Sequence, residues 1–221
     1  MTMVPRVAVL DYEMSNLRSV AKALESLGAA VTVTGEPVDP SAFDAVMLPG
    51  VGSFGEAMRR IRGRGLDATA KAAVAGGVPL LGICLGLQLL FDESEESPGV
   101  SGLGILPGAV RRIVTPHKLP HIGWSHVAWS PGAPLAPATG ETAAGTAAAA
   151  TYYFVHTYAC VPEDERVVLG SADHGARFCA AAGRGEVMGV QFHPEKSSAA
   201  GLGLLGRWLD GIRATHDMAA A

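Results

Sequence analysis

Val78-Pro79-Leu80-Leu81-Gly82-Ile83-Cys84-Leu85-Gly86-Leu87-Gln88 is the stretch whose reading decides the fold. Val78–Ile83 is a short apolar run with the character of a buried strand. The segment from Leu85 to about Glu95 reads as a helix that follows it at once. Between them lies Gly-x-Cys-x-Gly, the nucleophile-elbow arrangement with Cys in place of Ser. The glycines permit a tight strand-to-helix turn that lifts the thiol clear of the sheet. The helix N-terminus beneath it favours the thiolate and lowers the thiol pKa. A free Cys is more often an inert core residue. Two flanking glycines at a strand–helix junction favour the nucleophile here.

Upstream, the same rhythm repeats. Arg6–Tyr12 reads as a buried strand. Ser15–Gly28 reads as a helix with Leu17, Val20, Ala21, Leu24 and Leu27 on one face and Gly28 as its C-terminal cap. Ala30–Thr34 and Asp44–Leu48 are further strands, the second running into Pro49-Gly50. Gly55–Arg64 and Leu66–Gly76 are helical. This order predicts an α/β fold: an open, largely parallel sheet flanked by helices. Ligands of such sheets gather at the carboxyl ends of the strands, where Pro49-Gly50 and Cys84 fall.

Downstream, Val110–Val114, Val127–Trp129, Tyr152–Tyr158, Val167–Ala172, Arg177–Ala181 and Val187–Phe192 read as short strands joined by turns. This half adds antiparallel pairing, and a helix over Gly201–Arg213 closes the fold. Ala143–Ala150, built of Ala, Gly and Thr alone, reads as a surface loop, and Ala219–Ala221 as a frayed end. No linker or long repeat divides the chain, so residues 1–221 are expected to form one domain.

Composition agrees. With 221 residues, 48% hydrophobic and 17% charged, the chain can bury a substantial core. A net charge of -4 and the lack of a basic face give no reason to expect nucleic acid. No run is long enough to span a membrane, and Met1–Arg6 lacks the features of a signal peptide. Three cysteines, Cys84, Cys160 and Cys179, are a poor disulfide framework and fit a reducing cytoplasm. None is spaced for zinc, and neither metal nor cofactor is expected.

A nucleophilic Cys needs a base, and seven histidines are available. His193 stands out in Val190-Gln191-Phe192-His193-Pro194-Glu195. The residue before Pro is pushed toward extended geometry. In an extended segment, residues two apart point the same way. His193 and Glu195 are therefore expected to lie together, the carboxylate orienting the imidazole. H-x-E alone is more often a solvated turn. Beside the Cys elbow it reads as a catalytic pair.

Gly82–Gln88 together with Gln191–Glu195 resembles the class I glutamine amidotransferases. More narrowly, the chain resembles the glutaminase subunits of imidazole glycerol phosphate synthase, of histidine biosynthesis. The narrower likeness runs through Asp11-Tyr12 with Asn16–Val20, Leu48-Pro49-Gly50-Val51-Gly52-Ser53-Phe54, Leu89–Phe91 with Glu93–Glu96, Pro120-His121-Ile122-Gly123-Trp124, Tyr153–Tyr158 and Glu195-Lys196-Ser197.

The resemblance implies hydrolysis of glutamine to glutamate and ammonia through a thioester at Cys84, with His193 and Glu195. It implies the amides of Val51 and Leu85 as the oxyanion hole, and Gly50, Gly52, Gln88 and Glu96 about the glutamine. It implies a (β/α)8 cyclase as partner in a heterodimer, met by Pro120, His121, Trp124, Tyr153 and Lys196. The ammonia then serves to make imidazole glycerol phosphate and aminoimidazole carboxamide ribotide. His156 reads as core. Glu13 and Ser15 stand where the family has glycines, Ser125 where it has Asn, and Leu87 where Met is common. The Gly50–Gly52 segment is flexible enough to hold the Val51 amide away from the oxyanion until a partner sets it. Two alternatives stand beside this reading. One is the glutaminase of anthranilate, pyridoxal phosphate or GMP synthesis, against which Pro49–Gly52 and Pro120–Trp124 speak. The other is a catalytically idle regulatory subunit, against which the intact Cys84, His193 and Glu195 speak.

Overall fold

The computed structural model describes residues 3–137 and 150–219. Residues 143–149 of the expected surface loop, and 220–221 of the expected frayed end, lie outside them. The first half follows the strand–helix rhythm: β1 Arg6–Leu10, α1 Leu17–Ser26, β2 Ala30–Thr34, β3 Ala45–Gly50, α2 Phe54–Gly63, α3 Leu66–Ala75, β4 Leu80–Cys84 and α4 Leu85–Leu89. The second half holds β5 Glu93–Ser94, β6 Gly108–Arg112, β7 His121–His126, β8 Ala128–Trp129, β9 Thr151–His156, β10 Tyr158–Pro162, β11 Val168–Asp173, β12 Arg177–Arg184, β13 Val187–Val190 and α5 Ser198–Ala219.

The main sheet runs β2-β1-β3-β4-β13-β12-β10-β6-β5, with β11 also paired to β12 and β8 to β11. From β2 to β13 every pairing is parallel, although β13 is the last strand of the chain. Beyond it, β12 pairs antiparallel with β13, β11 and β10. A separate antiparallel pair joins β7 to β9. The expected division into a parallel first half and a more antiparallel second half is borne out.

Every residue of β3 and β4 is buried, because helices cover both faces. Alternation along the strands sorts the core into two layers. Val7, Val9, Met47, Leu81 and Ile83 face α1 and α5, meeting Leu24, Leu205 and Trp208. Ala8, Leu10, Val46, Leu48 and Leu80 face the other way, meeting Phe54, Met58, Ile61 and Leu66 of α2 and α3.

Four points differ from expectation. The helix after Cys84 ends at Leu89, not near Glu95. Its carbonyls are claimed by a later loop: Leu103 N–H donates to Leu89 O at 2.8 Å, and Ile105 and Leu106 donate to Leu90 O at 2.8 and 2.9 Å. The run expected as one strand over Tyr152–Tyr158 is two strands. The chain changes partner at Thr157, pairing His156 with His121 in the small sheet and Tyr158 with Arg112 in the main one. Strand β7 itself was not expected, since His121–His126 has no apolar run. The final helix starts three residues early, at Ser198, and continues to Ala219.

Candidate active site

Cys84 ends β4, and its neighbours on both sides bring the rest of the site to it. On one side β3 pairs Gly50 opposite Cys84. On the other, β13 pairs Val190 with Ile83, so Gln191–His193 runs out beside the cysteine. The backbone at Cys84 is held at φ 55°, ψ -107°, where few non-glycine residues sit. Space dictates the glycines around it. A Cβ at Gly86 would strike the Leu48 carbonyl, and one at Gly82 would press on the backbone of Gly86 and Leu87.

His193 has an extended backbone, at φ -103° and ψ 94°. Its Nδ1 lies 2.8 Å from Glu195 Oε1, and both side chains are 2% exposed. The expected pairing is present, but the geometry that makes it is not strand alternation. Strand β13 stops at Val190, and Glu195 lies in a single 3-10 turn, Pro194–Lys196. Pro194 starts that turn and brings the carboxylate back to the ring. The turn is pinned to β9: His193 N–H donates to Tyr153 O at 2.9 Å, and Ser197 Oγ donates to His193 O at 2.6 Å while accepting from Tyr153 N–H at 2.9 Å. Burial disfavours the imidazolium, but interaction with Cys84 and Glu195 outweighs it and raises the His193 pKa to about 9.

Gln88 is buried, and its Nε2 donates to Tyr158 O and Gln191 Oε1, both at 3.0 Å. Both amide protons are spent, which leaves its Oε1 as the group for a ligand. Gln191, fully buried, donates from Nε2 to Cys84 Sγ at 3.8 Å. The reading of the sequence passed over Gln191. A polar residue two before His193, in an otherwise apolar strand end, is the signal that marks it. Glu96 is half-buried and accepts from Phe54 N–H at 2.7 Å, capping α2. Val51, Gly52, Cys84, Leu85, Gln88 and Glu96 share one cavity of about 250 Å³, which Pro120 and His156 also line. His156 is buried there, as expected.

Leu85 is the first residue of α4, where an amide has no partner within its own helix. The Val51 amide is already engaged, donating to Met14 O at 2.7 Å. Met14 and Tyr12, both from the loop after β1, were not singled out as site residues.

The other expected residues lie on β7 or just before it, on β9 and on the 3-10 turn. Trp124 and Ile122 are 53% and 60% exposed, and Trp124 meets Tyr153 edge-on at 6.0 Å. Pro120 and Lys196 are exposed. His121 is turned inward: it is 3% exposed, 3.2 Å from His156 and 3.0 Å from Ser125 Oγ. Its neighbour Ile122 faces outward.

The model of the glutamine amidotransferase class-I family matches residues 8–204. The chain belongs to the class I glutamine amidotransferases. Among relatives in this family, the imidazole glycerol phosphate synthase subunit HisH of Moorella thermoacetica is 47% identical over 199 residues, 90% of this chain and 91% of that one. The subunit of the same name from Geobacillus thermodenitrificans is 45% identical, covering 92% and 94%. That of Synechococcus elongatus is 44% identical over 98% of both. Amidotransferase architecture extends to distant sequences. The structure of PurLQS from Thermotoga maritima superposes with a TM-score of 0.74 at 21% identity, covering 95% of this chain and 100% of that one. A crystal structure of a glutamine amidotransferase gives 0.70 at 21%, covering 94% and 98%. No helix among the described residues is long and apolar enough to cross a membrane.

Proposed function

We propose that this chain is the glutaminase subunit of imidazole glycerol phosphate synthase, with Cys84 as nucleophile, His193 as base and acid, and Glu195 as orienter. One observation carries the reading: a strained Cys84 lines a cavity with Val51, Gly52 and Gln88 and interacts with His193, which is paired with Glu195 at 2.8 Å. Full-length likeness to subunits of that name supports the synthase.

Cys84 Sγ attacks the side-chain amide carbon of glutamine, and its proton goes to His193. The oxygen of the tetrahedral intermediate takes the negative charge, facing the amides of Leu85 and Val51. As the C–N bond breaks, His193 returns the proton to the departing nitrogen, and ammonia leaves. Water, deprotonated by His193, then attacks the thioester carbon; glutamate departs and the thiol is restored. Glutamine is held by Gln88 Oε1, Glu96 and the Gly50–Gly52 backbone. The ammonia passes to a (β/α)8 cyclase subunit, in a heterodimer formed through Pro120, Ile122, Trp124, Tyr153 and Lys196.

The bond from Val51 N–H to Met14 O supports a resting state with one oxyanion donor turned away. The cyclase, with its nucleotide bound, turns the Gly50–Val51 peptide over. Tyr153 links surface to site, since its ring is in the contact face and its backbone holds His193.

Cys84→Ala tests the assignment. It abolishes glutamine-dependent synthesis by the assembled complex and spares synthesis from added ammonium. Equal loss of both activities in an intact complex would overturn it.

A further inference from the structure

Tyr12 is fully buried, and its hydroxyl has no hydrogen-bond partner among the described residues. A buried hydroxyl without a partner costs about 1–3 kcal/mol, so its position needs a reason. The hydroxyl lies directly against Gly50, where a Cβ would collide with it, and Leu85 Cβ borders the same point. Tyr12 therefore stands under the segment whose peptide must turn for Val51 to reach the oxyanion. Two residues on, Met14 holds the Val51 amide in its present position.

Turning a peptide over moves its N–H and its C=O to opposite sides. When the Val51 N–H leaves Met14 O, the Gly50 carbonyl comes to the side the N–H has vacated. There it meets the Met14 carbonyl, an acceptor that repels it, and needs a donor within a buried site. We propose that the Tyr12 hydroxyl is that donor: unpaired in the resting state, it bonds the turned Gly50 carbonyl and so holds Val51 N–H toward the oxyanion. Tyr12 is then a positioning residue, touching neither substrate nor thioester. The loop after β1 supplies both ends of the switch, the Met14 carbonyl for the resting state and the Tyr12 hydroxyl for the active one. Burial and the charge of Cys84 push the Tyr12 pKa up, so the hydroxyl keeps its proton at any working pH.

This inference rests on the reading of Val51 as an oxyanion donor. The experiment compares wild type and Tyr12→Phe, each assembled with the cyclase subunit, with and without its phosphoribulosyl nucleotide. Glutamate release is followed at varied glutamine, and thermal midpoints are taken in parallel. Leaving a buried carbonyl without its donor lowers the stimulated kcat of Y12F by about ten-fold or more. The KM for glutamine stays in place, and the stimulation ratio falls. The thermal midpoint does not drop, because the removed hydroxyl bonds nothing in the resting state. A Y12F complex stimulated as strongly as wild type overturns the Tyr12 assignment alone. A fall in both rates by the same factor together with a lower midpoint also overturns it, showing a structural role. A wild-type complex that the nucleotide does not stimulate at all overturns the Val51 reading, and Tyr12 with it.

Discussion

The backbone amide of Val51 donates to the carbonyl of Met14 at 2.7 Å, although Val51 follows the residue paired with Cys84. An amide bonded there is unavailable to a developing oxyanion. One missing oxyanion donor costs on the order of 10²–10³ in rate. The isolated chain is therefore expected to release glutamate at least about a hundred-fold more slowly than the complex with cyclase and nucleotide. Steady-state glutamate release checks this; a lone chain working at the full complex rate would sink the gating while leaving the triad untouched.

The loop carrying Met14 is tethered. Glu13, at φ 62°, is paired with Arg60 at 3.1 Å and Arg64 at 2.5 Å, both from the α2 region. Exposed ion pairs are each worth only about 0.2–1 kcal/mol. Glu13→Gln should loosen the resting state and raise the unstimulated glutaminase rate roughly two- to five-fold. The stimulated rate should stay where it was. An unchanged ratio between the two rates would show that the clamp does not bear on Val51.

Alkylation should separate the cysteines. Cys84 lines the cavity, while burial pushes the Cys179 thiol up to about 12 and the Cys160 thiol well above its ordinary range. The thiolate is the reactive form. Brief iodoacetamide treatment followed by mass mapping should find Cys84 modified first. Preferential labelling of Cys160 or Cys179 would count against its role.

His121 and His156 set a pH response. Burial lowers His121 to about 4, with help from His174, and His156 to about 3. The Tyr158 carbonyl resists the second shift; His121, His174 and His193 add to it. Unfolded, each titrates near 6.5, so between that value and 4 the unfolded chain binds more protons than the native one. Their contribution to stability is complete above pH 6.5 and is lost as pH falls toward 4 and then 3. His193 runs the opposite way: its contribution is present below 6.5 and is lost as pH rises through about 9. Urea midpoints should fall from pH 6.5 to 4, and less steeply in His156→Gln. Equal slopes would refute the assignment to this pair.

Local sequence determined the elbow, the strand–helix order and the His193–Glu195 pairing. Each depends on neighbours in the chain: glycines beside Cys84, apolar runs of strand length, and a proline between His and Glu. Tertiary structure decided what depends on distant partners. The helix at Leu85 stops at Leu89 because amides of Leu103, Ile105 and Leu106 take the carbonyls near its end. Its residues are buried on all sides, so no polar face recorded its length. The turn that carries Glu195 is anchored to β9 by bonds from His193 and Ser197 to Tyr153, which the local sequence does not announce. The same holds for Gln88, whose donors are spent on Tyr158 and Gln191. Val51 is the sharpest case. Its glycine neighbours announce that the peptide can turn, but a backbone amide has the same chemistry in every residue type save proline. That it faces Met14 is settled by the packed loop across from it.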